Sequence, residues 1–140
     1  MQVHAIVWFA GHSRCLALVA GNRGDQGNCL NAVYLAPFAA GDLTGTFQQQ
    51  CPVPVRKCEA SGATVQGQLI VAGGRNNVTP FNSVYSLLLD TLTWHREPDM
   101  GTARTMFTLT PIRCEGGMGV LAAGGWGENF RSEEHTSELQ

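Results

Sequence analysis

The stretch Gln68-Leu69-Ile70-Val71-Ala72-Gly73-Gly74-Arg75 decides the fold of this chain. Residues Gln68 to Ala72 read as a strand that is apolar on both pleat faces, as a strand covered from both sides should be. The glycine pair that ends it suits a backbone that must take φ > 0 or turn without a side chain. Working outward, Gly62 to Val65 reads as a preceding strand, and a polar loop separates the pair from a third strand at Ser83 to Leu89. Asp90-Thr91 supplies a turn, and a fourth strand starts at Thr93-Trp94 and ends near Pro98. The unit is therefore four short strands joined by tight turns, an all-β element.

The unit repeats. Val19-Ala20-Gly21-Asn22, Val71-Ala72-Gly73-Gly74 and Ala122-Ala123-Gly124-Gly125 are spaced by 52 and 51 positions, and Asn31-Ala32-Val33-Tyr34 returns 51 positions later as Asn82-Ser83-Val84-Tyr85. Asn22 replaces the second glycine of the first copy, and Asn is among the residues that best tolerate φ > 0. Period, glycine pair, Tyr85, the Thr91 to Trp94 segment, Pro98-Asp99-Met100 and Ala103-Arg104 together resemble the kelch repeat. That resemblance implies one four-stranded blade of a β-propeller per period of about 50 residues. The implied architecture is an incomplete kelch-type propeller with antiparallel blades side by side. A divergent first blade spans 1–58, a second 59–102, and the inner two strands of a third lie in 103–130. In the first copy Phe47 stands where Trp is usual, 13 positions after Tyr34 against 9 between Tyr85 and Trp94. The third copy's first two strands are expected at Thr105 to Pro111 and Gly119 to Ala123, with a hairpin turn at Gly116-Gly117-Met118-Gly119. Gly21, Asn22, Tyr34, Phe47, Gly73, Gly74, Tyr85, Trp94, Arg104, Gly124 and Gly125 have structural jobs in this reading. Tyr and Trp pack between twisted sheets and offer a polar tip to backbone partners. A propeller ring takes about 4 to 8 blades, so the outward faces of the terminal blades are expected to be uncovered.

The 140 residues are 44% hydrophobic and 14% charged, with 17 Gly and a formal net charge of −2. That composition excludes intrinsic disorder, a strongly basic nucleic-acid binder and a polybasic membrane arm. No apolar run reaches the roughly 18 residues of a membrane-spanning helix. The opening Met1 to Gly11 lacks the positive n-region of a secretory signal and reads as a strand. The last ten residues, Arg131 to Gln140, resemble the translation of a common sequencing adapter, codon by codon, and are read as a non-native tail. Without them the net charge is 0.

Candidate chemistry is sparse. Cys15, Cys29, Cys51, Cys58 and Cys114 show no Cys-x-x-Cys spacing, so a zinc knuckle is not expected. Buried free thiols are expected, with a Cys51–Cys58 disulfide as the alternative. Asn77-Val78-Thr79 is a glycosylation sequon. His4, His12 and His95 show no metal spacing; His95 is expected to face solvent. No cofactor is implied. The loops after the glycine pairs emerge together on one face, and loops on rigid scaffolds carry function. Arg23, Asp25, Arg75, Asn76, Asn77 and Trp126 are the expected partner contacts, since Arg and Trp are favoured at binding hot spots.

The expected role is that of a protein-interaction module binding a protein or peptide, with no nucleic acid, and more that of a binder than of an enzyme. The resemblance also allows a propeller enzyme, similar to galactose oxidase (a copper enzyme) or to sialic-acid mutarotases, with its catalytic residues in other blades. Two Tyr, two His and a Cys would have to converge for the oxidase, and Tyr34 and Tyr85 are the two tyrosines present. The sequence leaves the compartment open, leaning slightly to the cytoplasm, with the sequon pointing to a secreted or surface protein.

Overall fold

The computed structural model describes residues 2–10, 13–23, 28–39, 42–76, 79–88, 90–127 and 136–139, and side chains within 29–37, 39, 42–76, 79–88 and 90–127. The described residues form strands and turns in three antiparallel sheets. The first contains β1 (Gln2–Ala10), β2 (Ser13–Arg23), β3 (Asn28–Ala39), β4 (Asp42–Leu43) and β5 (Gln48–Gln50). The second runs β6 (Ser61–Val65), β7 (Gln68–Ala72), β8 (Val84–Leu88), β9 (Thr93–Glu97) in order. The third is β10 (Thr108–Cys114), β11 (Gly117–Ala123) and β12 (Thr136–Leu139). The innermost strand β6 contacts both β1 and β10, so the sheets stand side by side like propeller blades.

The alternation of β7 builds two cores from one strand. Leu69 and Val71 face the first blade, in a cluster with Val33, Val53, Ala60, Tyr85 and Leu87. Ile70 and Ala72 face the third, in a cluster with Ala63, Val84, Met100, Leu109, Val120 and Ala122. The hydrophobic effect thus acts between blades rather than within one.

Backbone hydrogen bonds repeat with the sequence. Val53 N–H donates to Asn31 O (2.8 Å) and Lys57 N–H to Leu30 O (3.0 Å); one period on, Met100 N–H donates to Asn82 O (2.8 Å) and Arg104 N–H to Phe81 O (3.1 Å). Lys57 is thereby the counterpart of Arg104, and Phe47 falls where Trp94 does. Trp94 lies in the first inter-blade core and donates its indole N–H to Cys51 O at 2.9 Å, the expected backbone partner. Arg104 is buried and its guanidinium donates to Gly124 O of its own blade at 3.2 Å.

Several expectations need correction. The first sheet has five strands, because the longer Tyr34–Phe47 segment breaks the outer strand into β4 and β5, with Thr44 N–H bonded to Pro37 O at 3.0 Å. The third blade's inner strand starts at Thr108 rather than Thr105 and continues through Pro111 to Cys114. Met106 at φ 54 interrupts the chain before it, and Thr105 makes an isolated bridge to Trp126. The hairpin turn is Glu115-Gly116, and Gly117 to Gly119 already belong to β11. β12, within the tail read as adapter-derived, pairs with β11 in the register that β8 takes on β7: Ala123 opposes Thr136 as Ala72 opposes Val84. Its carbonyls and amides satisfy the edge of β11, a task any extended segment can perform.

The cysteine expectation fails most clearly. Cys58 is joined to Cys29, with Cα atoms 5.1 Å apart, and neither is a free thiol. Cys51 is exposed and free, so the Cys51–Cys58 alternative fails too. The Leu30–Lys57 bridge sets the neighbouring cysteines face to face across the blade boundary, a juxtaposition created by the period rather than by proximity in sequence.

Candidate functional site

The residues after the glycine pairs occupy equivalent places. Arg75 bridges Cys58, and Trp126 bridges Thr105; each pair exchanges two backbone hydrogen bonds of 2.9 Å. Immediately after Cys58 and Thr105 come Glu59 (φ 55) and Met106 (φ 54), two non-glycine residues in the left-handed region. Such a backbone costs of order 1–3 kcal/mol; Gln66 and Leu92 adopt it in turns between strands, whereas Glu59 and Met106 recur at equivalent places in consecutive repeats. Each blade thus presents a couple at the same end: Glu59 with Arg75 in the second blade, Met106 with Trp126 in the third. Met106 N–H donates to Glu59 O at 3.2 Å, which joins the two couples into one surface.

The first couple is ionic. Arg75 Nε donates to Glu59 Oε2 at 2.6 Å and its terminal nitrogen to Oε1 at 2.8 Å, a two-point fork. Thr105 Oγ1 donates to Glu59 Oε2 at 3.0 Å, tying the ion pair to the next blade. The hydrogen bond to Glu59 holds the Arg75 pKa above its ordinary value. The second couple is apolar and open: Met106 is 63% exposed and Trp126 43%. Asn76 is exposed beside them; its side-chain oxygen accepts from Thr79 N–H at 2.6 Å and closes the loop on itself.

Of the expected contacts, Arg75, Asn76 and Trp126 therefore share one end of the fold. The side chain of Arg23 and the whole of Asp25 and Asn77 lie outside the described residues, and with Asn77 the sequon's acceptor. Glu59, Thr105 and Met106 were not among the expected contacts. The backbone pairings align Cys58-Glu59 with Thr105-Met106 at the spacing of 47 that relates Lys57 to Arg104, whereas the 51–52 period of the glycine pairs does not bring them together.

A cleft of about 180 Å³ opens at the other end, between the second and third blades, lined by Val65, Gln68, Ile70, Glu97 and Val120 among others. At the matching place between the first and second blades, Leu87 and Trp94 pack with Leu69 and Leu35. The cleft is thus the space that the outer strands of a blade fill. Among the described residues no group of three or more His, Cys, Asp or Glu is placed to hold a metal ion. His95 is exposed on β9.

The Kelch motif family model matches residues 56–101, which contain β6 to β9 and both residues of the Glu59–Arg75 pair. The chain carries a kelch repeat. A solved structure titled "Structure of YjhT" superposes on it with a TM-score of 0.75 at 15% sequence identity, covering 96% of this chain and 41% of that one. The chain therefore spans less than half the length of that kelch-type propeller, and the likeness shows the fold. No curated protein sequence matches it. In kelch terms, the Arg75 and Trp126 surface is where consecutive repeats meet at the glycine-pair end. Among the described residues no helix is long and apolar enough to cross a membrane.

Proposed function

We propose that this chain is part of a binding module whose glycine-pair end receives a protein or peptide partner. The observation that carries the reading is the repeated left-handed residue: Glu59 and Met106 adopt the same unfavourable backbone and each stands beside the residue after a glycine pair. The surface combines an ion pair already neutralised internally with the exposed Met106 and Trp126. Peptides offer both charged and apolar side chains to such a surface. Thioether and indole groups are adaptable and energetic contact surfaces. The enzyme alternative gains no such support: Tyr85 is packed in the first inter-blade core, and Tyr34 lies on the opposite face of its own sheet from Val33.

Selection of a displayed random-peptide library on the chain tests the reading. Arg75→Ala and Trp126→Ala are each expected to weaken the selected peptides by about tenfold or more, the cost of a hot-spot truncation. Both should stay folded, because a partly exposed ion pair is worth only about 1 kcal/mol. Selected peptides that bind both variants unchanged would place binding elsewhere and overturn the proposal.

A further inference from the structure

The Cys29–Cys58 disulfide touches the candidate site through the backbone of Arg75. Cys58 exchanges both of its backbone hydrogen bonds with Arg75, and the Cys29 sulfur lies 3.3 Å from the Arg75 carbonyl oxygen. The next residue is Glu59, whose left-handed backbone aims its carboxylate at the Arg75 guanidinium. One covalent bond thus fixes the segment that carries the acid and abuts the strand end that carries the base. Its other end is anchored in β3 of the first blade.

We propose that this disulfide conditions the site: oxidised, it holds Glu59 and Arg75 in binding geometry; reduced, it releases them while the rest of the fold persists. The inference rests on the binding reading above for its consequence, but not for its structural content. Met106 keeps the same backbone after Thr105 without a disulfide, so the blade junction sets the left-handed turn, and what the disulfide adds is a covalent tie from Cys58, the bridge partner of Arg75, to Cys29 in β3. A dithiol reverses it with full balance. One thiolate of the reductant attacks Cys29 Sγ and expels the Cys58 sulfur, which takes a proton. The reductant's second thiol then closes to its own disulfide and frees Cys29 as a thiol. Both half-cystines are buried, Cys29 at 8% exposure less deeply than Cys58 at 1%, so attack starts at the Cys29 side. A bond of this kind persists in oxidising compartments, so the site would be assembled in a secreted or surface setting rather than in the cytoplasm.

The test uses the whole chain. Peptide mapping without reductant should find Cys29 linked to Cys58. Amide hydrogen exchange is then compared with and without dithiothreitol. Exchange at Cys58 and Arg75 is expected to accelerate at least tenfold on reduction, while Leu109 and Val120 in the third blade change less than twofold. A different pairing, unchanged exchange at Cys58 and Arg75, or equal loss at the third-blade amides would each overturn the proposal. The last would mean that the bond holds the whole fold. Peptides selected on the oxidised chain should weaken about tenfold on reduction. If no peptide is ever selected but the exchange pattern holds, the binding reading fails and the disulfide's role stands. If peptides bind both states equally, conditioning fails and the binding reading stands.

Discussion

Gly73→Ala is expected to lower the melting temperature by roughly 10–15 °C, whereas Gly124→Ala lowers it by no more than about 5 °C. The two glycines occupy the same position in consecutive repeats and have the same kind of backbone, φ 61 and φ 74. Both substitutions therefore incur the left-handed strain of a non-glycine residue, about 1–2 kcal/mol. They differ in what the new methyl meets. At Gly73 it would run into Arg104 O and lie 2.7 Å from the Phe107 ring and 3.0 Å from the Met100 methyl. Arg104 O cannot retreat freely, because it accepts the Gly74 N–H at 3.0 Å and so forms the joint between blades. Overpacking of this kind adds about 1–3 kcal/mol. At Gly124 nothing lies within 4 Å, because no further blade packs there among the described residues. Thermal unfolding of both variants by circular dichroism checks the claim. Equal losses would mean that the glycine pair serves only its own turn and not the seam with the next blade.

That contrast shows which features were legible from sequence. Gln68 to Ala72 and the glycine pair gave strand, turn and period at once, because a doubly buried strand must be apolar on both faces and a backbone in contact with backbone admits no side chain. Tyr85 and Trp94 announced the inter-blade core by size. What stayed hidden depends on register between repeats. Cys58 finds Cys29 rather than the nearer Cys51 because Lys57 bridges Leu30, a fact that emerges only once two sheets are laid side by side. Glu59 and Met106 were missed for a related reason: neither is a residue type that signals φ > 0, so local propensity points away from the conformation that the blade junction imposes. Arg75 was found by its place after the glycines, but its partner, 16 residues earlier, was not.

Lys57→Met should raise stability at pH 7 by roughly 1–3 kcal/mol and remove a pH dependence that the parent chain shows above pH 8. Lys57 is fully buried, and among the described residues its ammonium has no hydrogen-bond partner. It lies over the rings of Tyr85 at 5.1 Å and Phe81 at 5.7 Å. Those cation–π contacts recover only about 1–2 kcal/mol, less than the several kcal/mol of losing hydration. Burial first, and then repulsion from Arg96, lower its pKa from 10.5 to about 8. Between those two values an unfolded chain keeps a proton that the folded chain has released, so stability rises with pH across that window. Below about pH 8 the folded chain holds a buried cation, and the penalty, at most about 3 kcal/mol for a shift of this size, is fully present. Met has a similar length, no charge, and a sulfur suited to aromatic neighbours. Urea unfolding of parent and variant at pH 7 and at pH 10.5 reads the difference. The gap should be largest at pH 7 and shrink toward pH 10.5; a variant less stable at pH 7 would show that the aromatic rings compensate the ammonium fully. Lys57→Arg sharpens the point. In the next repeat Arg104 reaches a carbonyl at 3.2 Å from the equivalent position. A guanidinium at 57 does not shed its proton at pH 10.5, so Lys57→Arg should stay less stable than Lys57→Met at both pH values in the same urea titrations, even where it gains a bond of that kind.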